Sequence, residues 1–202
     1  MSLSRWAALC ALGEGVGMAA VALAYGLIDK QLVGGWAIAA AGGFEGLALG
    51  SAQALGAFPG QGLRRVRFVL VTVVFALAGY GATSLAGAGT ATAEAAGPAL
   101  WLMALGGAGI GAILGASMGA AQALAVRPAL AFWRWSLHSA LGWTAGMAVI
   151  MVAASLVPPT SGMSGVIALG AIGGGLAGVS VALATWPVLR LCQIDGNRRS
   201  VE

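Results

Sequence analysis

Six stretches of this chain, roughly 6–28, 34–57, 67–88, 98–125, 132–156 and 163–189, run for more than twenty residues with at most one charged side chain each. A helix needs about 20 apolar residues to cross the hydrocarbon core of a bilayer, so each stretch suffices for one crossing. Within lipid, backbone N–H and C=O groups must pair inside the protein, which leaves only helices and closed barrels. A barrel strand alternates apolar and polar residues over about ten positions, and no such alternation occurs here. Composition agrees, since 8% of the 202 residues are charged where a soluble domain carries about 25%. The 34 glycines would each cost a water-soluble helix about 1 kcal/mol against alanine. Between membrane helices they instead let backbones approach. The expectation is an all-α bundle of six transmembrane helices, a single membrane domain over 1–202.

The separators carry turn or charge signals: IDK at 28–30, FPGQGLRR at 58–65, VRP at 126–128 and PPTSG at 158–162, with a small, polar GAGTATAEAAGP at 87–98. Six crossings put both termini and the 2–3 and 4–5 links on one side. That side holds Arg5, Arg64, Arg65, Arg67, Arg127, Arg134, Arg190, Arg198 and Arg199, and the other holds only Lys30. The positive-inside rule then expects cytoplasmic N- and C-termini in a bacterial inner membrane, with 190–202 as a short cytoplasmic tail. Trp6, Trp36, Trp101, Trp133, Trp135 and Trp186 fall near span ends, and only Trp143 lies deep. Orientation explains the net charge of +4, so a nucleic-acid partner is not expected. Arg64, Arg65 and Arg67 could also meet anionic lipid headgroups. Arg5 before a short apolar run resembles a signal peptide, but membership of an internal repeat argues for a retained span.

That repeat is visible in the even-numbered spans. GGFEGLALGSAQAL at 42–55 and GAILGASMGAAQAL at 111–124 align without gaps through Gly42/Gly111, Gly46/Gly115, Gly50/Gly119 and Gln53/Gln122. A third copy at 170–183 keeps Gly170, Gly174 and Gly178 but has Val181 in place of the glutamine. Among odd-numbered spans, WAALCALGEGVGMA at 6–19 matches WSLHSALGWTAGMA at 135–148, while the middle copy keeps an aromatic start near Phe68 and Gly79. Three tandem helical hairpins, about 6–57, 67–125 and 132–189, each enter from the same side. They imply a pseudo-threefold axis along the membrane normal. Glycines at i, i+4 and i+8 line one helix face and are read as helix-packing positions. Gln53 and Gln122 lie on that stripe and are expected to hydrogen-bond across helices, a ligand role being the alternative.

The pattern resembles a loose group of bacterial multi-span membrane proteins with repeated G-x-x-x-G-x-x-Q helices. Each such helix there ends in an arginine-bearing loop, and the next begins with Trp and carries a leucine–glycine pair. Gly46-Gly50-Gln53, Gly115-Gly119-Gln122 and Trp135…Leu141-Gly142 carry the likeness, which spans nearly the whole chain. The third repeat departs from it by losing the glutamine, and the resemblance implies no particular activity.

Glu14 and Glu45 are the residues most able to carry chemistry. Helical rise puts Glu14 about 12 Å from the arginine-bearing face and Glu45 about 16–18 Å from the other. In a core about 30 Å thick the two share a level. Copy three has Trp143 at the place of Glu14, and the other copies have Leu114 and Gly173 at that of Glu45. Burying a carboxylate in lipid costs several kcal/mol, so such residues are functional candidates by default. The readings are a proton or cation site, or protonated hydrogen-bonders closing the hairpin through a Ser, a Thr or Tyr80. His138, the only histidine, either bonds between helices or ligates a haem or chlorophyll. Cys10 and Cys192 lack metal-ligand spacing and read as free thiols. No P-loop, HExxH, GxSxG or DxDxDG motif occurs, so no enzyme activity, metal or cofactor is expected. The function expected is a small transporter or channel-like protein working through the carboxylates on an ion or solute. The alternative is a non-catalytic interaction or assembly subunit of a larger membrane complex, suggested by the few polar groups of spans 3, 4 and 6.

Overall fold

The computed structural model describes residues 1–87, 99–158 and 160–199. They form α1 (Leu3–Asp29), α2 (Trp36–Ala57), α3 (Gly62–Gly87), α4 (Leu100–Ala125), α5 (Phe132–Ser155) and α6 (Met163–Arg199), with no strand among the described residues. Five helices are long and apolar enough to cross a membrane: α1, α3 as far as Ala82, α4, α5, and α6 as far as Cys192. The 22 residues of α2 span about 33 Å by helical rise, but Glu45, Gln53 and the glycines make it less apolar. Most of the separator expected at 87–98 lies outside the described residues, as do 200–202. Part of the expected tail proves helical, because α6 continues through Arg199 with Pro187 inside it. That proline removes one backbone N–H from the helix ladder, a loss that packed membrane helices tolerate.

Local chemistry marks the ends. The Ser2 hydroxyl accepts the Arg5 N–H at 3.3 Å as an N-cap. Past α1 the backbone turns left-handed at Gln31, φ 58°. Pro59-Gly60 makes the turn into α3, with Gly60 at φ 74°, where a side chain would be strained. Arg65 Nε holds that turn by donating to the Phe58 carbonyl at 2.7 Å.

Each helix packs on its two neighbours in the chain, and α6 closes onto α1, so the six form a ring in sequence order. At the arginine-bearing end, Trp6, Phe58, Phe68, Leu130, Trp135 and Leu189 pack together as one cluster. Leu49, Met118, Trp143 and Val181 form a middle cluster with Phe75 and Met147 against it. A third joins Met18, Val21, Ile38, Ala41 and Ile150. Hydrophobicity does not pull helices together in lipid, so close packing has to.

The glycine stripes show how close that packing is. Gly42, Gly46 and Gly50 of α2 face α3, meeting Tyr80, Ala76 and Thr72. Gly111, Gly115 and Gly119 of α4 face α5, and Gly170, Gly174 and Gly178 of α6 face α1. A Cβ on Gly115 would lie 2.6 Å from the Ser139 carbonyl oxygen, and one on Gly174 equally near that of Glu14. No side chain fits at either place. Register differs at the closing contact: Gly119 meets the Ser139 side chain, whereas Gly178 meets the Cys10 carbonyl and Ala11.

Contacts inside the hairpins use the odd helices' own glycines. A Cβ on Gly13 would stand 2.9 Å from Leu49 Cα, and one on Gly142 2.8 Å from Val181 Cα. Counting from Trp6, Phe68 and Trp135, the matching residue of α3 is Phe75. There α3 and α4 touch least of any neighbours, and Gly79 finds only Leu114 at 3.9 Å. A phenyl ring in place of hydrogen keeps these two backbones apart.

Candidate functional site: a buried carboxyl pair

α1 and α2 run antiparallel with Gly13 against Leu49 and Gly17 against Glu45, which brings Glu14 and Glu45 to one level. At Gly17 an added Cβ would lie 2.8 Å from Glu45 Cα and Cβ. The absence of a side chain there is what lets the glutamate lie across α1. Glu14 is fully buried and Glu45 is 6% exposed. The two carboxyl groups are within hydrogen-bonding reach of each other, and Tyr80 of α3 reaches Glu45. The Tyr80 hydroxyl also lies 3.5 Å from Met18 Sδ.

Both Glu14 oxygens and Glu45 Oε2 lack a hydrogen-bond donor. Two ionised carboxylates are acceptors only, and burying them unpaired is costly. One proton shared between them turns two acceptors into a donor and an acceptor. The arrangement can therefore hold a proton, or a small cation that takes the proton's place. Among the described residues no group of three or more Cys, His, Asp or Glu side chains could hold a metal ion.

The other candidates stand apart from this pair or beside it. Gln122 joins a closed junction: Trp135 Nε1 donates to its Oε1 at 3.0 Å, and its Nε2 donates to Thr72 Oγ1 at 2.9 Å. Gln53 donates weakly to Cys10 Sγ at 3.9 Å, and its Oε1 has no partner. Cys10 is buried one turn from Glu14, and both cysteines are free thiols. His138 lies elsewhere, its Nδ1 at 2.6 Å from the Ala184 carbonyl, a contact that joins α5 to α6. A carbonyl only accepts, so Nδ1 carries the proton.

Sequence reasoning did not foresee the partners of Trp6 and Trp135, the matching Trp side chains in the first turns of α1 and α5. Trp6 Nε1 donates to Thr185 Oγ1 at 3.1 Å, as Trp135 does to Gln122. Thr185 stands four residues beyond Val181, the position matched to the glutamines. The one-turn offset at the α6–α1 contact places it there, and no pattern within a single helix carries that signal.

A separate cleft of about 620 Å³ opens at the arginine-bearing end, lined by Arg5, Arg64, Leu55, Phe58, Leu130 and Leu189 among others. It does not touch the carboxyl pair. No known protein family, curated protein or solved structure matches the chain.

Proposed function

We propose that this chain is a small proton- or cation-linked membrane transport protein in which Glu14 and Glu45 hold the coupling ion. The observation that carries the reading is the fully buried Glu14 carboxyl, both oxygens without a donor, set against a second carboxyl. Intramembrane acids mark ion and proton paths, and a purely structural hairpin contact has no use for unpartnered oxygens. Both termini are assigned to the cytoplasmic side of a bacterial inner membrane, on the nine arginines at that end against Lys30 at the other. Three hairpins about a pseudo-threefold axis form the scaffold. Its support is the way the stripes of α2, α4 and α6 each face the next odd helix around the ring.

Transport from this arrangement requires that the packed layers on either side of the pair open in turn. In the conformation described, those layers are closed. The test is proton flux into proteoliposomes holding a trapped pH dye, driven by a potassium diffusion potential. Wild-type protein should acidify the lumen several-fold faster than empty vesicles, and Glu14→Gln/Glu45→Gln should abolish the excess while keeping its thermal unfolding temperature. A wild-type rate equal to that of empty vesicles defeats the reading.

A second reading, an assembly subunit of a larger membrane complex, is favoured by α3 and α4. Only 11% and 17% of their spanning windows are buried, against 44% for α1. Stoichiometric copurification of another membrane protein in mild detergent would support it over transport.

A further inference from the structure

We propose that the cleft at the arginine-bearing end binds a phosphate-type anion attached to an apolar body. Its walls come from the start of α1 (Arg5), the end of α2 and the turn after it (Leu55, Phe58), the start of α3 (Arg64), the 4–5 link (Leu130) and α6 (Leu189). It therefore sits over the interior of the ring and not on its rim. Its floor is the end cluster itself, because Phe58, Leu130 and Leu189 belong to the layer that packs on Trp6, Phe68 and Trp135. The volume, about 620 Å³, is within the range of about 300–1,000 Å³ typical of small-molecule sites.

Charge selects the ligand. Two arginines, Arg5 and Arg64, line the cleft, and its described lining holds no acidic residue. Gln61 already accepts from Arg64 Nη1 and so aims that side chain. Among the described residues neither arginine meets a carboxylate. Guanidinium groups suit the fork geometry of phosphate oxygens, and the leucine and phenylalanine floor takes an apolar body. Both a phospholipid headgroup with the start of its chains and a soluble phosphomonoester offer this chemistry. The inference is independent of transport, since it concerns binding at one end.

Cys192 also lines the cleft and is half-buried, whereas Cys10 is fully buried. Alkylation of Cys192 by N-ethylmaleimide in mild detergent therefore reports occupancy. Dihexanoyl phosphatidic acid should slow labelling at least threefold if the source is lipid, and phenyl phosphate should do so if it is soluble. Neither should protect the Arg5→Gln/Arg64→Gln variant, and dihexanoyl phosphatidylcholine should protect neither protein. Failure of both anions to protect, equal protection by phosphatidylcholine, or protection that survives in the double variant would overturn the proposal. Protection by inorganic phosphate alone, as strong as by phenyl phosphate, would remove the apolar body from it.

Discussion

Gln53 and Gln122 end matching runs of the sequence, yet the molecule uses them differently. Gln122 is saturated on both sides, tying α4 to α3 through Thr72 and to α5 through Trp135. Gln53 repeats the first half of that pattern, donating to Cys10 of its own hairpin as Gln122 donates to Thr72. The second half fails. Where α5 carries Trp135 in its first turn, α3 carries Phe68 at the matching place, whose ring has no N–H, and Gln53 Oε1 is left without a donor. A sulfur acceptor at 3.9 Å is also a poorer partner than a hydroxyl at 2.9 Å. The contrast teaches that polar residues in one motif can serve opposite ends. Around α4 they lock three helices together. Around α1 and α2 they leave unsatisfied oxygens on Gln53, Glu14 and Glu45, in the hairpin that carries both buried acids.

The largest expected effect breaks the locked junction outright. Gly115→Leu drives a side chain into the Ser139 carbonyl and the Trp143 Cβ, so α4 must leave α5 and Gln122 must leave Trp135. Overpacking of this kind costs about 1–3 kcal/mol or more. Size-exclusion and thermal unfolding in detergent should show loss of a monodisperse folded species. Gly106→Leu, with open space around the glycine, should stay within about 0.5 kcal/mol of wild type.

Next in size is the comparison of the glutamines themselves. Gln122→Leu strands the Trp135 N–H in a buried site and should cost about 1–3 kcal/mol. Gln53→Leu removes an oxygen that already lacks a partner, and should be neutral within about 0.5 kcal/mol or stabilising. Equal losses for the two would erase the distinction between a locked and an open junction. The smallest effect sharpens it. Phe68→Trp offers Gln53 the donor that Gln122 enjoys, and the new bond is worth about 0.5–1.5 kcal/mol. Because Phe68 is fully buried, extra ring volume offsets part of that gain. The cleaner readout is the double-mutant cycle, in which Gln53→Leu becomes costly only in the Phe68→Trp background.

Much of this was legible in the chain. The long apolar windows pointed to six helices, because apolarity over a window and the backbone's need for internal pairing act along one segment. The shared level of Glu14 and Glu45 followed from helical rise alone. The role of Gly17 as the bare patch beneath Glu45 was not readable, since it depends on how α1 and α2 are rotated about their axes. The extension of α6 beyond Leu189 to Arg199 was also missed, because charge in the segment after residue 189 suggested an end where the backbone ladder continues.

Sequence by itself determined what each segment is: an apolar helix, its length, its glycine face and the two acids at mid-depth. Tertiary structure alone decided which helix each face meets, that α6 closes onto α1 one turn out of step, that Thr185 stands in for a glutamine, and that α3 and α4 stay apart at Phe75. The reason is physical. Helix formation in lipid is decided by bonds within a segment, whereas register and rotation between helices are decided where two surfaces both lack side chains. That second condition belongs to pairs of segments and is written in neither one.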